Sequence, residues 1–231
     1  MIFDMDGTLV DDLIRMMNQT IARQIKNFSG HEVDIDTIQK QRDEFIKANS
    51  GSSNVYKAYN AYMVEYYKFN ASADAAWNEF KQILPSLVGD LKFKSHAAEF
   101  LAALKEKGFK LVLATNNVGF VFEAMQKNKN LHINNEPFDK IFDLIVSSGD
   151  VKNIKPAPDI YLKVLEKLQT TPEKCLVFED ALTGVQSAKA AGIEVVNAPD
   201  GNADKDRAEI NKLTDYRIDS YKELLALLRL L

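Results

Sequence analysis

From about residue 91 onward, short runs of consecutive apolar residues alternate with amphipathic stretches, and that alternation restricts the chain to few architectures. Leu111-Val112-Leu113-Ala114, Phe142-Asp143-Leu144-Ile145-Val146, residues 175–178 and residues 193–197 have the length of strands. Helical periodicity separates them. Ser95 is placed to cap a helix that carries Phe100, Leu101 and Leu104 and ends at Gly108, and further helices are expected over 158–168 and 183–191. A short strand near Tyr216-Arg217-Ile218 and a leucine-rich helix close the pattern. A strand that is apolar throughout must be covered on both faces, so these elements predict an α/β fold with a parallel sheet between helices.

Residues 12–84 read differently, with helical periodicity and no convincing strand. Ile14, Met17, Ile21 and Ile25 share one face of a first helix that ends near Phe28-Ser29-Gly30. Further helices are expected over 36–48 with Asp36 as N-cap, over 54–69 with Asn54 as N-cap, and over 73–84, stopped by Pro85. Asn49-Ser50-Gly51-Ser52-Ser53-Asn54 is a loop by composition. The organisation expected is therefore a core of residues 1–11 and 86–231, interrupted by a helical unit at 12–85.

Composition narrows the function. With Lys+Arg 29 against Asp+Glu 33, the net charge of −4 and the lack of a long basic block argue against a nucleic-acid or anionic-membrane binder. The single cysteine, Cys175, has no partner for an internal disulfide and sits in an apolar run, so it reads as a buried thiol in a reducing compartment. No basic-then-apolar leader opens the chain, and the apolar tail at 224–231 is too short to span a bilayer. A cytoplasmic monomer is the expectation.

In an open parallel sheet the ligand site lies beyond the carboxyl ends of the strands, so polar residues that follow apolar runs carry the chemistry. Four places qualify: Asp4 and Asp6 after Met1-Ile2-Phe3, Thr115 and Asn116 after Ala114, Lys155 after the strand at 142–147 and its loop, and Glu179-Asp180 after Phe178. Crowded carboxylates repel unless a hard cation neutralises them, and Mg²⁺ takes a few carboxylates together with phosphate oxygens. With that cation and Lys155 balancing a phosphate, one carboxylate can attack phosphorus while its neighbour two residues on moves the proton. Thr115 and the amides after it suit phosphate oxygens.

These segments resemble the haloacid dehalogenase-like (HAD) superfamily, in its phosphatase and β-phosphoglucomutase-like branch. The matching stretches are Asp4-Met5-Asp6-Gly7-Thr8-Leu9-Val10-Asp11, Leu113-Ala114-Thr115-Asn116-Asn117, Lys155-Pro156-Ala157-Pro158 and Phe178-Glu179-Asp180-Ala181-Leu182-Thr183-Gly184, in the family's order. A chance Asp-x-Asp-Gly-Thr is expected at roughly 10⁻⁵ per starting position, so the first stretch is the specific one. The resemblance implies a Rossmann-like sheet, with Asp4 as nucleophile and Asp6 as general acid/base and metal ligand through its backbone carbonyl. It also implies Glu179 and Asp180 as further Mg²⁺ ligands, alongside Asp4, and Thr115, Asn116 and Lys155 as phosphate-binding residues. The helical unit would be a cap that closes on a small phosphorylated metabolite.

Hydrolysis of a phosphate ester through an aspartyl-phosphate is the first reading. A phosphosugar mutase uses the same core, but Gly51-Ser52-Ser53-Asn54 has no arginine where such caps carry a Gly-Val-Ser-Arg pattern. A response-regulator-like phospho-acceptor is disfavoured because Glu179-Asp180 follows the lysine, and a dehalogenase because Asp6 is present. No G-x-x-x-x-G-K-[ST] occurs, so a P-loop enzyme is not supported.

In the helical unit, Tyr56, Tyr59, Tyr62 and Tyr66 repeat at helical spacing and are expected to pack mainly within it, with a substrate-facing surface as the lesser reading. The loop at 49–54 is the candidate specificity element. His31, His96 and His132 lack ligand spacing and are expected to be structural or at the surface. Only three residues precede Asp4, so either the first strand is unusually short or the natural start lies upstream.

Overall fold

A computed structural model describes residues 1–11, 13–49, 55–117, 119–198 and 206–228. The described strands are β1 (Ile2–Phe3), β2 (Val112–Ala114), β3 (Leu144–Val146), β4 (Leu176–Glu179), β5 (Glu194–Asn197) and β6 (Tyr216–Arg217). They form one six-stranded parallel sheet in the order β3-β2-β1-β4-β5-β6. Four helices, α1 (Leu13–Ser29), α2 (Ile35–Ala48), α3 (Val55–Tyr66) and α4 (Ala73–Val88), are inserted after β1. Seven more follow: α5 (Ala97–Glu106), α6 (Gly119–Lys127), α7 (Phe138–Ile141), α8 (Asp159–Leu168), α9 (Leu182–Ala190), α10 (Arg207–Leu213) and α11 (Tyr221–Leu228).

The three layers follow from the period of two along each strand. Phe3, Leu113, Phe178 and Val196 pack with Phe100 of α5, Met125 of α6 and Tyr221 of α11. Their neighbours Ile2, Val112, Val177 and Val195 point to the opposite face, against Ile160 and Val164 of α8, Val185 of α9 and Ile210 of α10. This is the doubly covered parallel sheet that the apolar runs predict, in the Rossmann-like form that the resemblance implies. No described helix is long and apolar enough to cross a membrane.

The first strand is two residues long, and neighbours on both sides hold it. Ile2 pairs with Val112 on one side and Val177 on the other, while Phe3 pairs with Leu113 and Phe178. The ladder extends past both ends, with Val112 N–H donating to the Met1 carbonyl at 3.0 Å and Asp4 N–H to the Phe178 carbonyl at 3.0 Å. The Phe3 and Phe178 rings stack with centroids 4.6 Å apart. Two residues in the middle of a sheet are held by neighbours on both sides, which an edge strand of that length would lack.

Several local expectations are corrected. Pro85 lies inside α4, which runs on to Val88, because Leu84 and Val88 are buried and their packing outweighs the lost helix bond. Asp34, not Asp36, caps α2 and accepts the Thr37 N–H at 2.8 Å. His96 precedes α5 in a left-handed conformation, so Ser95 is not its cap. Cys175 is half-buried, since it precedes β4 at the sheet margin. Helix α10 was not anticipated; its buried Ile210 and half-buried Leu213 fix it to the sheet. Asn54 and residues 50–53 of the loop read as a specificity element lie outside the described residues.

Candidate active site

Asp4 leaves the centre of the sheet at the end of β1, and the chain then curls back on itself. Leu9 and Val10 N–H groups both donate to the Met5 carbonyl, and Gly7 N–H donates to the Val10 carbonyl. Gly7 adopts φ +79°, a region that side chains disfavour, and a Cβ there would lie 2.2 Å from Asp180 Oδ2. The same loop orients Asp180, because Thr8 Oγ1 donates to Asp180 Oδ1 at 2.8 Å. Lys94, on the chain returning from α4, donates from Nζ to the Gly7 carbonyl and from its N–H to the Leu9 carbonyl.

Lys155 arrives from the loop after β3 and is 4% exposed. Its ammonium donates to Asp4 Oδ1 at 2.6 Å, Glu179 Oε1 at 2.6 Å and the Ala114 carbonyl at 2.8 Å. Burial opposes the charge on Lys155, but the Asp4 and Glu179 carboxylates hold its proton well above the ordinary lysine range. Burial in turn pushes the Asp4 carboxyl up, against the pull of Lys155. Asp6 is pushed up to about 6 by burial, restrained by a hydrogen bond from Asn117 and by the charge of Arg42.

Of the residues singled out in the sequence, Asp4, Lys155, Glu179 and Asp180 converge. One carboxylate oxygen from each of Asp4, Glu179 and Asp180 lies within 4.8 Å of the others. Asp6 stands on the same loop with Oδ2 bonded to Asn117 and Oδ1 buried without a partner. Thr115 is buried after β2, and its Oγ1 accepts the Asn117 N–H at 3.2 Å. Asn116 accepts the Lys155 N–H through Oδ1 at 3.1 Å, so it sets the Lys155 backbone.

A divalent cation fits this donor set on two observations. Glu179 Oε2 is buried without a hydrogen-bond partner, a state that is costly unless something else satisfies it. The acids are oxygen donors of the kind Mg²⁺ prefers.

Sequence reasoning gave no role to Asn117, which touches Asp6, or to Tyr161, whose hydroxyl donates to Glu179 Oε1 at 2.8 Å. Asn117 had a signal in its position two residues beyond Thr115. Arg42 was also missed: it is buried in the helical insertion, donates to Asn18 Oδ1 at 2.9 Å and acts electrostatically on Asp6. Tyr56 is half-buried against the apolar core, and burial pushes its hydroxyl up to about 12, with smaller effects from the charges of Arg42, Asp6 and Asp4. Tyr59 and Tyr62 instead pack with Phe45 inside the insertion. Packing within the apolar core thus accounts for Tyr56, Tyr59 and Tyr62, the reading favoured from their spacing. His31 is exposed, and His96 and His132 are half-exposed, all apart from this cluster.

The profile of haloacid dehalogenase-like hydrolases matches residues 1–192. The chain belongs to that family. Among its relatives, the phosphorylated carbohydrates phosphatase of Thermotoga maritima is 44% identical over 104 residues, 45% of this chain and 45% of that protein. The CbbY protein of Rhodobacter capsulatus is 29% identical over 226 residues, 94% of this chain and 91% of its own. The crystal structure of CbbY from Rhodobacter sphaeroides in complex with phosphate superposes with a TM-score of 0.74 at 25% identity, covering 96% of this chain and 94% of that one. The HAD-like sheet, and the motif order along it, are thus those of hydrolases with phosphatases among their members.

Proposed function

We propose that this HAD-like hydrolase is a Mg²⁺-dependent phosphatase that cleaves a small phosphorylated metabolite through an aspartyl-phosphate on Asp4. The observation that carries the reading is the buried cluster at the end of the central strand, where Asp4 meets Lys155 and the acids Glu179 and Asp180. Asp4, the Asp6 backbone carbonyl, Glu179 and Asp180 would hold Mg²⁺, which supplies charge neutralisation for the phosphoryl group when bound.

Asp4 contributes the attacking oxygen. As its bond to phosphorus forms, the ester bond breaks and the leaving oxygen takes a proton from Asp6. Asp6, now ionised, withdraws a proton from water as that water attacks phosphorus, and the acyl-phosphate bond to Asp4 breaks with release of phosphate. An Asp6 whose proton affinity is raised to about 6 suits both steps near neutral pH. Lys155 neutralises phosphate charge, and Thr115 and Asn116 border its oxygens. The helices α1–α4 act as a cap, and the charge of Arg42 on α2 favours the ionised form of Asp6.

A phosphosugar mutase would share every step up to the fate of the aspartyl-phosphate. Incubating the protein with Mg²⁺ and a panel of phosphorylated sugars, phosphoglycolate and nucleotides, then measuring free phosphate and isomer composition, separates the two. Phosphate release is the expected result; isomerisation without release overturns the hydrolase reading. Turnover that survives prolonged chelation overturns the metal requirement.

A further inference from the structure

Glu179 is held unusually tightly for a candidate metal-binding carboxylate. It is the last residue of β4 and points to the same sheet face as Val177, the face that α8 covers. Tyr161 sits in the first turn of α8, fully buried, with its hydroxyl 2.8 Å from Glu179 Oε1. Lys155 Nζ reaches the same oxygen at 2.6 Å and lies 5.2 Å from the centre of the Tyr161 ring. On the other side, a Cβ on Gly184 would fall 1.9 Å from Oε1 and 2.2 Å from Oε2, so the start of α9 walls the carboxylate in. Oε1 therefore has two donors, while Oε2 is buried with none.

One donor fixes where an oxygen lies but leaves the carboxylate plane free to turn. A second donor from a different element removes that freedom. Lys155 cannot do this alone, because its other two protons go to Asp4 and Ala114. A buried tyrosine hydroxyl ordinarily finds some partner. Here the partner it finds is the carboxylate whose other oxygen is unclaimed.

We propose that Tyr161 is a positioning residue: by occupying Glu179 Oε1 it turns Oε2 toward the divalent cation. The proposal rests on the reading of Asp4, Glu179 and Asp180 as the acids that hold Mg²⁺. Hydrogen-bond partners of metal ligands change metal affinity by about 10–100-fold when removed.

The test is titration calorimetry of Mg²⁺ into the metal-stripped full chain without substrate, comparing the unmodified protein, Tyr161→Phe, Glu179→Gln and the double variant. Phenylalanine keeps the ring and removes only the hydroxyl. The expected result is roughly tenfold weaker Mg²⁺ binding for Tyr161→Phe and less than about twofold further change when the same substitution is made on Glu179→Gln. Unchanged affinity in Tyr161→Phe overturns the proposal. So does an equal loss in both backgrounds, which would mean that the hydroxyl acts elsewhere than through Glu179. Failure of the unmodified protein to bind Mg²⁺ is a separate result that overturns the metal reading and this proposal with it.

Discussion

Lys155 holds Asp4 at 2.6 Å, across 151 residues of chain, and does so while donating at 2.6 Å to Glu179. One buried cation thus joins the acid that ends β1 to the acid that ends β4. Substituting Lys155→Met leaves two buried carboxylates without their counter-charge, a change that costs about 3–5 kcal/mol in comparable buried pairs. Urea denaturation at neutral pH without metal is expected to show a loss of that size, and phosphatase turnover is expected to fall at least about 100-fold. A stability loss under about 1 kcal/mol would show that the ion pair is not formed in solution.

Asp4→Asn keeps the volume of the side chain and an oxygen able to accept from Lys155, so the protein is expected to fold with an ordinary circular dichroism spectrum. The amide cannot attack phosphorus. Appreciable Mg²⁺-dependent turnover by this variant would remove Asp4 from its assigned role.

Gly7→Ala places a methyl where Asp180 Oδ2 lies 2.2 Å away and demands φ +79° of an alanine. The backbone conformation alone costs about 1–2 kcal/mol. Because the displaced atom is a carboxylate oxygen of Asp180, the variant is expected to lose Mg²⁺ affinity in addition to thermal stability. Calorimetric titration alongside a melting curve checks both; unaltered Mg²⁺ affinity would count against a metal role for Asp180.

The pH dependence of stability has a definite sign. Asp6 is raised from 3.8 to about 6, and Asp4 is raised too, so each binds its proton more tightly folded than unfolded. Stability of the metal-free protein therefore falls as pH rises from the unfolded carboxylate value through the folded one. Asp143 and Asp215 are shifted down despite partial burial, and their contribution is lost only as the pH falls below the usual carboxylate range. Melting temperatures in chelator are expected to peak at about pH 4 and decline toward pH 8, with saturating Mg²⁺ reducing the decline. A metal-free protein that gains stability over that interval contradicts the buried-acid arrangement.

Asn117 favours the ionised form of Asp6 by donating to it. Asn117→Ala removes that donor, so Asp6 is expected to titrate above about 6. The limb of the kcat–pH profile that reports Asp6 then moves to higher pH. An unmoved profile would assign that limb to another group.

The sheet was legible because its inner strands are runs such as Leu111 to Ala114 that only a doubly covered position can accommodate, and the acids that follow β1 and β4 were legible as polar residues at strand ends. Helix boundaries were less so. Pro85 reads as a stop in any sequence, yet burial of Leu84 and Val88 carries α4 past it. Asn117 lies within the stretch Leu113-Ala114-Thr115-Asn116-Asn117, yet only Thr115 and Asn116 were given a role there.

What the sequence by itself determined is the periodicity of the elements and the local chemistry of Asp-x-Asp-Gly-Thr, because both are properties of near neighbours in the chain. The tertiary structure alone decided which groups face one another. Tyr161 has no local mark of function; it reaches Glu179 because α8 covers the sheet face to which alternation sends that side chain. Arg42, on the inserted helix α2, bears on Asp6 only because the insertion folds back over the core. Contacts between residues far apart in the chain depend on how helices pack on the sheet, and no periodicity within a single segment records that packing.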